Sequence, residues 1–317
     1  MSKDVYQRAK ADYQRAKADY QRIEVDYQKA KADYQRTELF YRQERLKWFK
    51  SQFTNKEFVL EQLKNIGYKD VQFIAKGSSG MVWKVFRLGE VVAVKVEILA
   101  PLGNGNRQSI DSEIAILKAL EKNCAHFLCL KRVKEIPIKD EGEAIGKIIL
   151  IETEYLDGMK PLAEFLKNTR LSEQAKLTII TNLVRIVKSL HEFGIVHLDI
   201  KPANIMIAED LTLKLIDFGF SCEEQNERSC IGGLRGTPNF IAPELWEMEV
   251  ETFKDAVKAD YWALGVVIFM VKNEGRIPFN SASAEGLKKL VLEYNDQFAE
   301  ESMGLLLKDP NQRVLPN

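Results

Sequence analysis

An α+β fold of two lobes, β-rich then α-rich and preceded by a long helix, is expected from this 317-residue chain on three grounds. Residues 1–66 hold no Gly and no Pro, and Tyr recurs every seven residues at Tyr6, Tyr13, Tyr20, Tyr27, Tyr34 and Tyr41. From Tyr68 to about Thr153, strand-like runs alternate with turn residues around a single helical stretch near Ser109–Glu121. From Lys160 onward helical apolar spacing dominates, most clearly in Ser172–Phe193 and Ala256–Val271. A strand-rich part followed by a helix-rich part reads as an α+β arrangement.

The first segment, residues 1–66, is read as an arm whose continuous helix runs from about Asp4 to about Lys50. Its repeat unit is YQRAKAD. Ala9, Ala16, Ile23, Ala30 or Thr37 follows a Tyr by three residues, so each pair lies on one stripe. A second rail, Arg8, Asp12, Arg15, Asp19, Arg22, Asp26, Lys29, Asp33, Arg36, alternates in sign. Such pairs support a solvated helix by roughly 0.2–0.5 kcal/mol each. A strict seven-residue period favours a left-handed coiled coil, but Ala makes the seam thin. A solvated single helix and self-association through residues 1–50 therefore stay open side by side. The repeated Asp-Tyr-Gln-Arg units also read as phosphorylation targets.

Residues 68–317 are read as a second domain, with a smaller lobe 68–154 and a larger lobe 157–317. Ile74-Ala75-Lys76-Gly77-Ser78-Ser79-Gly80-Met81-Val82 lies between two strand-like runs. Glycines there let backbone N–H groups approach a phosphate, although a Gly/Ser loop alone is also an ordinary hairpin turn. Val91–Lys95 is an apolar strand ending in Lys. A buried Lys needs an anionic partner, and Glu113 on the following helix can supply one. The apolar strand Ile148–Thr153 leads into Glu154-Tyr155-Leu156-Asp157-Gly158.

Chemistry concentrates in His197-Leu198-Asp199-Ile200-Lys201-Pro202-Ala203-Asn204 and Asp217-Phe218-Gly219. The Asp199 carboxylate can accept or orient a hydroxyl proton. Lys201 can neutralise charge on a transferring phosphoryl group. Asn204 and Asp217 are hard oxygen ligands suited to Mg2+. Gly219 is expected to allow a sharp turn after Asp217. Together these are the parts that phosphoryl transfer needs.

These loops, in this order and at this spacing, resemble the catalytic and metal-binding loops of eukaryotic-type protein kinases. The resemblance runs from about Tyr68 to Arg313 and takes in Gly236-Thr237-Pro238 and Ala242-Pro243-Glu244. It implies a bilobal protein-kinase-like fold, ATP and Mg2+ as cofactors, and transfer to Ser/Thr hydroxyls of protein substrates. By the same likeness Ile74, Gly77, Ser78, Ser79 and Gly80 cover the phosphates, Lys95 grips them, and Glu113 orients Lys95. Thr153 would gate the adenine pocket, the Glu154 and Leu156 backbones would hydrogen-bond the base, and Val82, Ala93 and Met206 would sandwich it. Phe218 would pack beneath the helix of Glu113, Asp260 would anchor the catalytic loop, and Arg313 would pair with Glu244.

The chain departs from the family pattern in three places. Ala75 replaces the first loop glycine. Leu198 replaces the Arg before the catalytic Asp, which removes a bidentate phosphate receiver. Activity is therefore expected not to depend strictly on phosphorylation of the activation segment, residues 219–244, where Ser221, Ser229 and Thr237 remain candidates. With only four residues after Arg313, the family's last helix is expected to be short or absent. The Asp-Ile-Lys-Pro-Ala-Asn and Gly-Thr-Pro motifs resemble the Ser/Thr subgroup, and the Tyr-rich arm keeps autophosphorylation on Tyr as a second expectation. The alternatives are a pseudokinase or scaffold working through the arm, and a kinase-like small-molecule phosphotransferase. Retention of Lys95, Glu113, Asp199, Asn204 and Asp217 argues against the first, and the apparently complete activation segment against the second.

A net charge of +0 gives no reason to expect a nucleic-acid or membrane partner. Trp262–Val271, the longest apolar run, is too short to span a bilayer, and Met1 to Asp19 lacks a signal pattern. Cys124, Cys129, Cys222 and Cys230 show no CxxC spacing. Free thiols and a cytoplasmic location are expected.

Overall fold

The computed structural model describes residues 3–77, 80–100, 104–140, 142–231 and 233–316. Ser78 and Ser79, both expected over the phosphates, lie outside the described residues. The chain divides into two compact units, one built on the N-terminal helices up to Gln62, the other on Leu63–Leu99 and the chain from residue 103 on.

In the first unit, α1 (Lys3–Phe53) is one uninterrupted helix, as the absence of Gly and Pro predicts. Tyr13, Tyr20, Tyr27, Tyr34 and Tyr41 are all 61–70% exposed. The expected ion-pair rail does not form along Arg22, Asp26, Lys29, Asp33 and Arg36, where no pair comes within 4.0 Å. Fully hydrated charges gain too little from pairing to hold long side chains still. At Thr54–Asn55 the helix breaks, and Asn55 Oδ1 accepts from the Phe58 N–H at 2.7 Å. This cap starts a second helix, α2 (Lys56–Asn65), beyond the continuous helix expected to about Lys50.

The second unit opens with β1 (Lys69–Lys76), β2 (Met81–Arg87) and β3 (Glu90–Leu99). Then follow α3 (Asn104–Ala119), β4 (Leu130–Asp140) and β5 (Glu143–Glu154). The strands form one antiparallel sheet in the order β1-β2-β3-β5-β4. Alternation sets its two faces. On one face Glu152, fully buried, accepts from Arg87 at 3.0 Å, from Arg132 at 2.9 Å and from the Tyr68 hydroxyl. Burial and the bond to Glu152 push the Tyr68 phenol up to about 12.

The larger lobe is mainly helical. Short β6 (Lys160–Pro161) and α4 (Leu162–Asn168) precede α5 (Glu173–Glu192), which is N-capped by Ser172. Four short strands, β7 (Ile195–Val196), β8 (Ile205–Ile207), β9 (Leu213–Leu215) and β10 (Cys222–Glu223), carry the loops of interest. Next come α6 (Pro243–Glu247), α7 (Phe253–Lys272) and α8 (Ala284–Leu292). Thr252 and Asp255 form a capping box that starts α7. Its apolar residues are buried on nearly every side, which is why its sequence is apolar all round. Beyond α8 the described chain holds one 3-10 turn, Pro310–Gln312. Among the described residues no helix is long and apolar enough to cross a membrane.

The cysteines correct the expectation of free thiols. Cys124 pairs with Cys129 and Cys222 with Cys230, with Cα–Cα separations of 5.1 and 5.3 Å. Backbone folding brings each pair within bridging range, and sequence spacings of five and eight carry no signal of it.

Candidate active site

Strand register builds the roof of the site. Val82 faces Lys95 across β2–β3, while Ala93 faces Thr153 and Lys95 faces Ile151 across β3–β5. Directly opposed residues share a face, so Val82, Ala93, Lys95, Ile151 and Thr153 line one side of the sheet. The Gly77 N–H donates to the Gly80 carbonyl at 2.8 Å and closes the turn between β1 and β2. A Cβ at Gly80 would stand 2.6 Å from the Val96 carbonyl oxygen, so only glycine fits. Ile74, on β1, is 47% exposed.

Lys95 meets three carboxylates. Glu113 on α3 holds it at 2.7 and 2.6 Å, Glu97 lies at 3.1 Å, and Asp217 Oδ1 at 3.6 Å. Burial works against the ammonium charge, but Glu113, Asp217 and Glu97 together push its pKa up, so Lys95 stays protonated. Burial pushes the Glu113 carboxyl up, against the opposing pull of Lys95. Glu97 was not anticipated from the sequence. The signal was there: two residues on from Lys95, it shares the same strand face.

The loop bearing Asp199 hangs from α7. Asp260, fully buried, accepts from the backbone N–H groups of His197 and Leu198, each at 2.8 Å. His191 Nε2 lies 3.0 Å from the same carboxylate. These bonds hold Leu198 at φ 60, a left-handed conformation that costs a non-glycine residue about 1–2 kcal/mol. Its side chain is buried in an apolar cluster with Cys222, Cys230 and Ile241. Asp199 then accepts from Lys201 Nζ at 2.6 Å, from Asn204 Nδ2 at 3.0 Å and from the Thr237 hydroxyl at 2.7 Å. Lys201 also donates to Thr237 Oγ1 at 2.7 Å. Thr237 therefore ties its segment to the Asp199 carboxylate, a contact that the sequence pattern did not reveal.

Phe218 is 1% exposed, in one core with Ile110, Ile116 and Leu117 of α3. The turn here corrects an expectation: the left-handed residue is Asp217, at φ 65, and Gly219 is not among the residues with positive φ. A Cβ at Gly219 would lie 3.5 Å from Asp217 Oδ1 and 3.7 Å from Glu113 Oε2, ordinary contact distances, so space does not demand glycine there. At the connection between lobes, the Glu154 carboxylate takes Lys214 at 2.6 and 2.7 Å and the Cys129 N–H at 2.9 Å. The Glu154 N–H itself donates to the Cys129 carbonyl at 3.0 Å. Leu156 lies in the following turn, and half-buried Met206 sits on β8 opposite Lys214. Far below, Arg313 forms a bidentate pair with Glu244 at 2.6 and 3.0 Å, and is fully buried.

The donor chemistry fits a magnesium–nucleotide pair. Asn204 and Asp217 offer oxygen ligands, and the glycine turn has no room for a Cβ at Gly80. Among the described residues no three His, Cys, Asp or Glu side chains could hold a metal ion without help. Mg2+ usually takes one or two protein oxygens plus phosphate oxygens.

A sequence model described as the protein kinase domain matches residues 68–311. Similar proteins include serine/threonine-protein kinase 36 of Pongo abelii, 29% identical over 259 residues, covering 78% of this chain and 18% of that protein. Serine/threonine-protein kinase TIO of Arabidopsis thaliana is 29% identical over 258 residues, with coverages of 78% and 18%. CBL-interacting protein kinase 30 of Oryza sativa subsp. japonica is 28% identical over 265 residues, with coverages of 78% and 51%. The match thus spans 18% to 51% of the length of these relatives. The two-lobed α+β fold and the match over residues 68–311 agree: the chain belongs to the protein kinase family.

Proposed function

We propose that the chain transfers the γ-phosphoryl group of MgATP to Ser or Thr hydroxyls of protein substrates. The observation that carries this reading is the Asp199–Lys201–Thr237–Asn204 cluster, assembled while Lys95 and Glu113 are paired. Asp199 Oδ1 and Oδ2 are held by neighbours, so the carboxylate is fixed where it can orient an incoming hydroxyl and take up its proton. Lys201 stands beside it with charge to offset the transferring phosphoryl. Lys95, fixed by Glu113, gives phosphates an oriented cation under the sheet. Bound Mg2+ would neutralise phosphate charge, with Asn204 and Asp217 as its protein ligands. Val82, Ala93, Thr153, Glu154, Leu156 and Met206 would line the base site.

The test uses radiolabelled ATP with the native chain, an Asp199→Ala chain and a generic protein acceptor. Label on protein that disappears with Asp199→Ala supports the reading, and no turnover by the native chain favours a scaffold. Burial of Leu198 among apolar residues supports activity that does not depend strictly on activation-segment phosphorylation. A cytosolic location accords with MgATP as co-substrate but runs against the two disulfides, and fractionation of expressing cells tests it.

The exposed tyrosine row of α1 supports a second reading, phosphorylation of the arm by the chain itself, which mass spectrometry after incubation with ATP tests. The same row supports self-association through residues 1–50, tested by sedimentation with and without them.

A further inference from the structure

Arg235 lies two residues before Thr237, in a segment pinned to the catalytic loop. Gly236, at φ +96, runs so close to that loop that a Cβ would stand 2.7 Å from the Leu198 carbonyl oxygen and 3.8 Å from Asp199 Oδ1. Arg235 lines, with Leu198, Asp199, Thr237 and Ile241, a small open pocket with a cavity volume of about 10 Å³.

The guanidinium is half-buried, and its one hydrogen bond among the described residues goes to the Ser229 carbonyl. Five N–H donors belong to that group. Two carboxylates line the same pocket, and both are engaged elsewhere. Asp199 is held by Lys201, Asn204 and Thr237, and Asp260 by two backbone N–H groups and His191. Among the described residues no carboxylate pairs with Arg235, and burial alone pushes its pKa down. Three more deeply buried cations of the domain are matched, Arg313 by Glu244, Lys95 by Glu113 and Lys214 by Glu154, while half-buried Lys258 donates to the Arg313 carbonyl. A partly desolvated cation without an acid is unfavourable unless an anion arrives.

We infer that Arg235 is a specificity-determining residue that receives an anionic side chain, carboxylate or phosphate, next to the acceptor hydroxyl of the protein substrate. The inference rests on the kinase reading above and names its substrate class. Lys201 is committed to Asp199, and Leu198 adds no charge, so Arg235 is the cation left to meet such a group. Its planar fork suits both anions, which bind in bidentate fashion.

The test is a panel of peptides with one Ser acceptor, carrying Ala, Asp, Glu, phosphoserine or Lys at each of three positions on either side. The full chain is assayed as native protein and as R235K, R235Q and R235E. The native chain should favour an acidic or phosphorylated residue at one position or more by about 10- to 100-fold in kcat/KM over Ala. R235Q should abolish that ratio, R235K keep part of it, and R235E reverse it in favour of Lys, which loss of local structure would not do. Comparison of Asp and Glu with phosphoserine separates the two anions. A native chain that labels all peptides evenly, or a preference that survives R235Q and R235E, overturns the inference and leaves the kinase reading intact. A native chain that labels neither peptide nor generic protein overturns both.

Discussion

Replacing Asp260 by Ala removes the acceptor for two buried backbone N–H groups, those of His197 and Leu198. Each buried donor left without a partner costs about 1–3 kcal/mol, so the variant should lose about 2–6 kcal/mol of stability. The same two bonds hold Leu198 in its left-handed conformation at φ 60. Without them the loop relaxes, and Asp199, the next residue, moves with it. A shift of about 1 Å at a reacting group costs on the order of 100-fold in rate. Nucleotide binding rests mainly on Lys95, Glu113 and Asp217, which share no direct bond with Asp260, and the Mg2+ ligand Asn204 is linked to it only through Asp199. Independent sites add within about twofold in affinity. Single-turnover phosphoryl transfer should therefore fall at least about 100-fold while nucleotide affinity by fluorescence titration changes about twofold or less. Thermal melting checks folding, and Asp260→Asn, which keeps one acceptor oxygen, should lie between native and Ala. A folded variant with unchanged transfer, or one that loses ATP affinity in step with transfer, would show that Asp260 does not act by holding the loop.

Arg313→Met leaves Glu244 buried without its partner and should cost about 3–5 kcal/mol. In calorimetry this lowers Tm by about 2–4 °C per kcal/mol for a domain of this size; a shift under one such step would contradict it. Gly80→Ala places a Cβ 2.6 Å from the Val96 carbonyl oxygen. The turn must shift, so KM for ATP should rise several-fold with a smaller change in kcat. Burial raises the Glu113 pKa, so acidification removes its charge earlier than that of an exposed Glu, while Lys95 stays protonated. Activity should therefore fall, as pH drops, above the ordinary carboxylate range. Glu113→Gln should erase that limb of the pH profile of kcat/KM at lower overall activity.

Much of the fold could be read from short-range pattern. The absence of Gly and Pro gave α1, and three-four apolar spacing gave α5 and α7 to within a few residues. The two loops bearing Asp199 and Asp217 could be picked out because their residue types sit within a few positions of one another. The ion-pair rail on α1 was over-read, because spacing reports which charges can meet and not whether water lets them. The turn at Asp217 was assigned to Gly219, since glycine is the usual left-handed residue and a strained Asp there leaves no sequence mark.

Local order thus follows from local sequence, because hydrogen bonding and apolar periodicity act over a few residues. Other features depend on groups far apart in the chain. Thr237 reaches Asp199 across 38 positions, Lys214 reaches Glu154 across 60, and Arg313 reaches Glu244 across 69. Family likeness anticipated the last of these, but no spacing rule supplied the first two. Cysteine pairing and the isolation of Arg235 are also tertiary facts. Both depend on which groups packing brings within a few ångströms, and in Arg235's case on which acids it commits elsewhere.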